Sequence, residues 1–171
     1  MKLYSCNSYL KNPEKTIIDI SVMQRAPENF FVSIDRVPDD FLKKINPDYI
    51  EGAITVTYQN RRLITFEHYD LIDQFIVTTI EEVFDHAEGK TFFPDQPLQL
   101  KIKKLSNDTA LVSLGDKDYM VSYEELIHSL LVGAQCFFSL MKKYFPEKEE
   151  YSHEYQRAID LKAVFEKRTV A

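Results

Sequence analysis

No tryptophan, four glycines and two cysteines occur among the 171 residues, and each scarcity removes a class of explanation. So few glycines leave no phosphate-cradling loop, and the G-x-x-x-x-G-K-[ST], G-x-G-x-x-G and G-x-S-x-G patterns are all absent. Cys6 and Cys136 are too few and too far apart for a CxxC site or a disulfide framework. With Cys136 among apolar residues of a predicted helix, both read as reduced structural thiols. HExxH and EF-hand patterns are missing as well, so the common motif-bearing enzyme classes are disfavoured and no cofactor is expected. Apolar runs never approach the roughly 18 to 20 residues that cross a bilayer, and the start Met-Lys-Leu-Tyr-Ser-Cys-Asn lacks an apolar signal core. The expectation is a soluble cytoplasmic protein without membrane contact.

One further absence is local. Between Glu67 and Gly89 there is no Lys or Arg, while Glu67, Asp70, Asp73, Glu81, Glu82, Asp85 and Glu88 all fall there. The whole chain carries 27 Asp and Glu against 21 Lys and Arg, so this one stretch holds its net charge of −6 and the remainder is close to neutral. A patch of one sign on a rigid element points to a basic partner, whereas diffuse acidity points only to solubility. The pI near 5.3 and the lack of a broad basic face weigh against nucleic acid. The densest basic run, Lys101, Lys103 and Lys104, alternates as the solvent side of a half-buried strand.

What is present describes one globular domain over residues 1–171. Hydrophobic residues at 44% and charged residues at 28% are ordinary for such a domain, and a chain of this length buries about two thirds of its unfolded surface. Twelve Phe and ten Tyr read first as core. A first strand is predicted near Leu3 to Tyr9. Ile18, Ile20 and Val22 alternate with polar residues and predict a hairpin with Phe31, Val32 and Ile34. Pro38-Asp-Asp opens a short helical turn through Lys44. A better hairpin joins Tyr49–Tyr58 to Arg62–Glu67 through a turn at Asn60.

Asp70 then reads as the N-cap of a helix with Asp73 at N3, an apolar stripe of Ile72, Ile76, Ile80, Val83 and Ala87, and Gly89 as its C′ residue. A meander follows through Leu98–Ile102, Leu111–Leu114 and Tyr119–Val121, with a turn at Ser106–Thr109. Ser122 and Glu125 form a capping-box pattern for a central packing helix that Pro146 stops, and a C-terminal helix is predicted over about 149–168. The fold class is therefore α+β: an antiparallel sheet of hairpins and a meander, with two to three helices packed on one face.

The polar constellations are sparse. His68 and Asp70 lie at a strand-to-helix corner, where the ordinary reading is the N-cap. Glu82 and His86 share a helix face at i and i+4, but a metal needs further ligands that the sequence does not supply. Tyr4, Tyr9, Tyr151 and Tyr155 read as packing before they read as a ligand cup.

On the predicted acidic helix, Gln74, Glu81, Asp85 and Glu88 lie opposite the apolar stripe, and Phe75, Leu71 and Phe84 lie nearer its borders. A charged exterior is ordinary on an amphipathic helix. Here, though, Glu81 and Asp85 at i and i+4, and Asp85 and Glu88 at i and i+3, each cost about 0.2 to 0.5 kcal/mol with no lysine to compensate. Asp85 and Glu88 also fall in the last predicted turn, where the dipole disfavours anions by about 0.3 to 1 kcal/mol. The other two helices obey that dipole logic, with Glu124, Glu125, Glu149 and Glu150 at starts and Lys142, Lys143, Lys167 and Arg168 at ends. The exception marks Glu81, Asp85, Glu88, Gln74 and Phe75 as the candidate partner-binding residues, unless Lys101, Lys103, Lys104, Arg61 or Arg62 neutralises the carboxylates internally.

The segments Ile50-Glu-Gly-Ala-Ile54-Thr-Val-Thr-Tyr58, Asp70-Leu-Ile-Asp-Gln74 and Phe93-Pro-Asp-Gln-Pro97, in that order, resemble small bacterial proteins of unknown function, some of them associated with polymorphic toxin-immunity loci. The resemblance covers about half of the chain and carries over no catalytic or binding residue. It implies a bacterial cytoplasmic protein, of which an immunity protein that blocks a toxin is one form. The leading expectation is a non-enzymatic protein-binding domain that covers a basic surface. The alternatives are a small-ligand or enzymatic domain with a pocket near His68, Tyr58 or Tyr151, and a homo-oligomeric scaffold.

Overall fold

The structure is a computed structural model that describes residues 4–72 and 75–170; the side chains of residues 75, 76 and 170 lie outside that description. Among the described residues the fold is α+β, with two antiparallel sheets against which the helices pack. The first sheet has the order β2-β1-β3-β4, built from β1 (Tyr4–Lys11), β2 (Phe31–Ser33), β3 (Glu51–Tyr58) and β4 (Arg61–Ile64). A two-residue strand, β5 (Asp70–Leu71), pairs with the start of β3. The β3–β4 hairpin turns on Gln59 and Asn60, whose φ values of 45° and 66° match the twist of the strands they join.

The second sheet runs β6-β7-β8-β9: β6 (Glu88–Phe92), β7 (Gln99–Lys104), β8 (Thr109–Leu114) and β9 (Lys117–Ser122). The predicted meander is β7 to β9, and β6 is the strand that periodicity did not show. Leu100, Ile102, Ala110, Val112, Leu114 and Val121 alternate inward, leaving Lys101 and Lys103 on the outer face.

Three helices fill the inner side. These are α3 (Phe75–His86), α4 (Tyr123–Tyr144) and α5 (Glu149–Val170), whereas α1 (Ile20–Arg25) and α2 (Asp39–Leu42) are short. At 22 residues α4 is about 33 Å long and crosses the whole domain. Its first half packs Leu126, Ile127, Leu130 and Leu131 with Val56, Ile80 and Ile102, and its second half packs Phe137, Phe138 and Met141 with Leu10, Ile34 and Val77. Close approach to β1 requires Gly133, where a Cβ would stand 2.5 Å from Cys6 Sγ. Ser122 Oγ accepts from the Glu125 amide, as the capping pattern predicted.

Three expectations are corrected. Ile18, Ile20 and Val22 do not form a strand. Asp19 caps α1 by accepting from the Ser21 amide, Met23 enters a small core with Tyr9, Phe31 and Ala53, and all three alternating residues are exposed. This short helix covers part of the sheet face opposite α4, so helices are not confined to one side.

Asp70 is not an N-cap. It is buried in β5, where its carboxylate accepts from the Leu71 and Asp95 amides at 2.6 and 3.0 Å. Gly89 is not the C′ residue of α3 either. Ala87, at φ 59°, ends the helix while its amide donates to Val83 O, and Gly89 lies in β6, where a Cβ would collide with Thr79 O. Asp73 and Gln74 lie outside the described residues.

Candidate functional site

The exposed side of α3 is where the sequence placed its partner-binding residues, and the structure redistributes them. Glu81 is not free. Arg157 of α5 donates to both of its carboxylate oxygens, with Nε 3.2 Å from Oε1. The same guanidinium donates from Nη1 to Glu154 at 2.7 and 2.8 Å, and Glu154 is buried. The two carboxylates in turn push the Arg157 pKa upward, chiefly through the hydrogen bond from Arg157 to Glu81.

Glu88 is corrected in two respects. It lies on β6 rather than in the last turn of α3, so its repulsion with Asp85 along a helix does not arise. It also forms an ion pair with Lys101 Nζ at 3.1 Å, a diagonal cross-strand neighbour. Lys101 was among the internal partners that the sequence allowed, whereas Arg157 was not. Gln74 falls outside the described residues and the side chain of Phe75 is likewise undescribed, so neither adds to the site.

The rest of the acidic stretch is engaged locally. Glu82 accepts from the Lys90 amide at 2.9 Å, and Glu67 accepts from Gln24 Nε2. Asp70 holds the 93–97 loop through the Asp95 amide, whose own carboxylate accepts from Tyr49 Oη at 2.7 Å. Among the described residues, Asp85 is the one carboxylate of the stretch without a hydrogen bond or ion pair, and it is exposed in the last turn of α3.

Pairing does not erase the negative charge. One guanidinium serves Glu81 and Glu154 together, and the hydrogen bond to Glu82 comes from a neutral amide. Where α3 and α5 meet, Glu81, Glu82 and Asp85, with Glu154 buried between them, stand against two guanidiniums, Arg157 and, toward the helix ends, Arg168.

Asp85 also opens onto a cleft of about 520 Å³, where the ends of α3 and α5 meet the start of α4 and the β7–β8 turn. Lys104 and Arg168 line it, each against an aromatic ring: Lys104 Nζ is 4.7 Å from the centre of Tyr123, and Arg168 Cζ is 5.3 Å from the centre of Phe84. His86, Asn107, Glu124 and Thr169 complete its polar wall.

The other sequence candidates are structural. His68 Nδ1 accepts from the Thr65 amide at 3.0 Å, and burial holds its imidazole below the ordinary histidine pKa. Tyr58 stacks on Tyr4 with centroids 4.4 Å apart. Tyr151 is buried beside Phe138 and Phe145, and a smaller cavity of about 220 Å³ adjoins it. Among the described residues, no group of three or more His, Cys, Asp or Glu side chains is placed to hold a metal ion, and no helix is long and apolar enough to cross a membrane.

Sequence reasoning missed Glu154 and Arg157. Their signal was present: Tyr151, Glu154, Ala158 and Phe165 recur at helical spacing on one side of α5, and a carboxylate on an otherwise apolar stripe requires a cation. No family model matches the chain, and neither curated proteins nor solved structures give a match.

Proposed function

We propose that this chain is a non-enzymatic protein-binding domain that applies the α3–α5 face to a basic partner. The observation behind the reading is the charge excess that survives internal pairing: Arg157 serves Glu81 and the buried Glu154 together, while Glu82 and Asp85 form no ion pair among the described residues. Arg157 fixes Glu81 between the two helices, so part of the charge is presented on a rigid support, which raises association rate and orients a partner of opposite sign. Glu82 and Asp85 are the carboxylates of α3 without an ion pair among the described residues, and they replace Glu88 as the centre of the surface. Val164, 40% exposed on α5, supplies an apolar contact on the same side of the helix as Arg157, about two turns on. The immunity protein implied by the resemblance, neutralising a toxin in a bacterial cytoplasm, is the specific form of this function.

Immobilised chain exposed to an extract of its own source cells tests the reading, with captured proteins identified by mass spectrometry. A single basic protein retained by the native chain and released by raised salt supports it. Retention that persists when Glu82→Gln and Asp85→Asn are combined contradicts it.

A further inference from the structure

The cleft at the end of α3 shares Asp85 with the proposed partner surface but carries a second kind of recognition, in which Lys104 and Arg168 take part. We propose that it binds a small zwitterion of the α-amino-acid class. Lys104 and Arg168 each rest on an aromatic ring that forms part of the wall, so both cations are positioned before any ligand arrives.

Among the described residues neither cation forms an ion pair. Lys104 Nζ has no hydrogen-bond acceptor, and Arg168 engages one N–H with Phe84 O at 3.3 Å. Their remaining donors suit a carboxylate, which a guanidinium can hold through two parallel bonds.

Asp85 and Glu124 line the same cleft, are exposed, and are likewise without ion pairs among the described residues. They exclude a simple anion, which would meet two carboxylates, and they supply acceptors for an ammonium group. A simple cation is disfavoured in turn by Lys104 and Arg168. Two charges of each sign in about 520 Å³ therefore select a ligand that carries both, and the volume lies within the ordinary range for small-molecule sites. Val83 and Phe165 offer an apolar wall to the ligand's side chain.

The test is a titration of the isotope-labelled full chain with each common α-amino acid, to about 10 mM, which is tenfold above a millimolar Kd. Amide shifts confined to residues 83–87, 104, 107, 123, 124, 165, 168 and 169 are expected for at least one of them. The matching amine without a carboxylate, and the N-acetyl derivative without an ammonium, should each bind at least about tenfold more weakly. Lys104→Met with Arg168→Met should remove the shifts while the rest of the spectrum is unchanged. If that double variant does not fold, the amine and N-acetyl comparison on the native chain decides alone. No response from any amino acid, shifts elsewhere in the chain, or equal binding of the amine or N-acetyl derivative would overturn the proposal.

Discussion

Arg157 Nε donates to Glu81 Oε1 across 3.2 Å and so ties α5 to α3, while the same side chain neutralises the buried Glu154. The two contacts differ in consequence. The Glu81 and Arg157 side chains are both about one third exposed, at 36% and 32%, so solvent screens their attraction. Glu81→Gln is expected to lower stability by about 1 kcal/mol or less, with the loss shrinking in high salt. Arg157→Met strands a buried carboxylate and should cost about 3 kcal/mol or more. Urea denaturation of the two variants measures the difference, and equal losses would show that Glu154 does not depend on Arg157.

The α4–β1 contact sets a second expectation. A methyl group at position 133 would lie 2.5 Å from Cys6 Sγ, beside a cavity of only about 20 Å³ that both residues line. Gly133→Ala should destabilise the domain by about 1 to 3 kcal/mol, offset in part by the slightly better helix propensity of alanine. Adding Cys6→Ala should recover most of the loss, because it removes the atom that the methyl meets. Failure of the double variant to recover would place the strain in the backbone of β1 instead. Burial pushes the Cys6 thiol pKa up to about 12, so the native residue should also resist alkylation at neutral pH while the chain is folded.

His68 gives the pH dependence. Burial lowers its folded-state pKa below 6.5, against the opposing pull of Glu67, and its Nδ1 acts as an acceptor for the Thr65 amide. The unfolded chain therefore takes up a proton at about pH 6.5 while the folded chain does not. This contribution is complete above about pH 6.5 and is lost as the pH falls from there through the lowered folded value. Calorimetric Tm between about pH 7.5 and pH 5 should decline, and His68→Asn, which keeps an acceptor for Thr65, should flatten the part of that decline nearest the unfolded pKa. Identical profiles for the two chains would refute the assignment.

Local and non-local features differed in how far the sequence revealed them. The β7–β9 meander, the β3–β4 hairpin and the Ser122-capped α4 were readable because each is specified by period, turn chemistry or cap within a few residues. The Ile18–Val22 alternation failed because period alone does not say which side finds a core. There, Asp19 starts a helical turn, and only Met23 reaches apolar neighbours. Helix α3 was extended to Gly89 because glycine is the usual C′ residue, whereas Ala87 takes the left-handed position itself and β6 begins at once. The seven uncompensated charges were a true count but an incomplete account. Arg157 lies 76 residues from Glu81, and Lys101 meets Glu88 through sheet pairing, so neither compensation appears in any window of the sequence.

Glu88 and Asp85 now separate. Glu88→Gln removes a pair exposed by about one third on both sides and should change stability by less than about 1 kcal/mol, with partner binding altered no more than about twofold. Asp85→Asn should leave stability within about 0.5 kcal/mol, since no bond is lost, and should weaken partner binding. Thermal melts and binding isotherms on the two single variants check this order. A larger binding loss at Glu88 would return the site to its sequence-based position.

The most direct test is the affinity of the captured partner for the native chain and for Glu82→Gln/Asp85→Asn, measured by calorimetry across a salt series. Both substitutions keep side-chain size, and an amide oxygen at position 82 still accepts from the Lys90 N–H, so the fold is preserved. An affinity loss of about tenfold or more at low salt is expected, with a shallower salt dependence for the double variant. Unchanged affinity and an unchanged salt slope would contradict the claim that the α3–α5 face meets a basic partner.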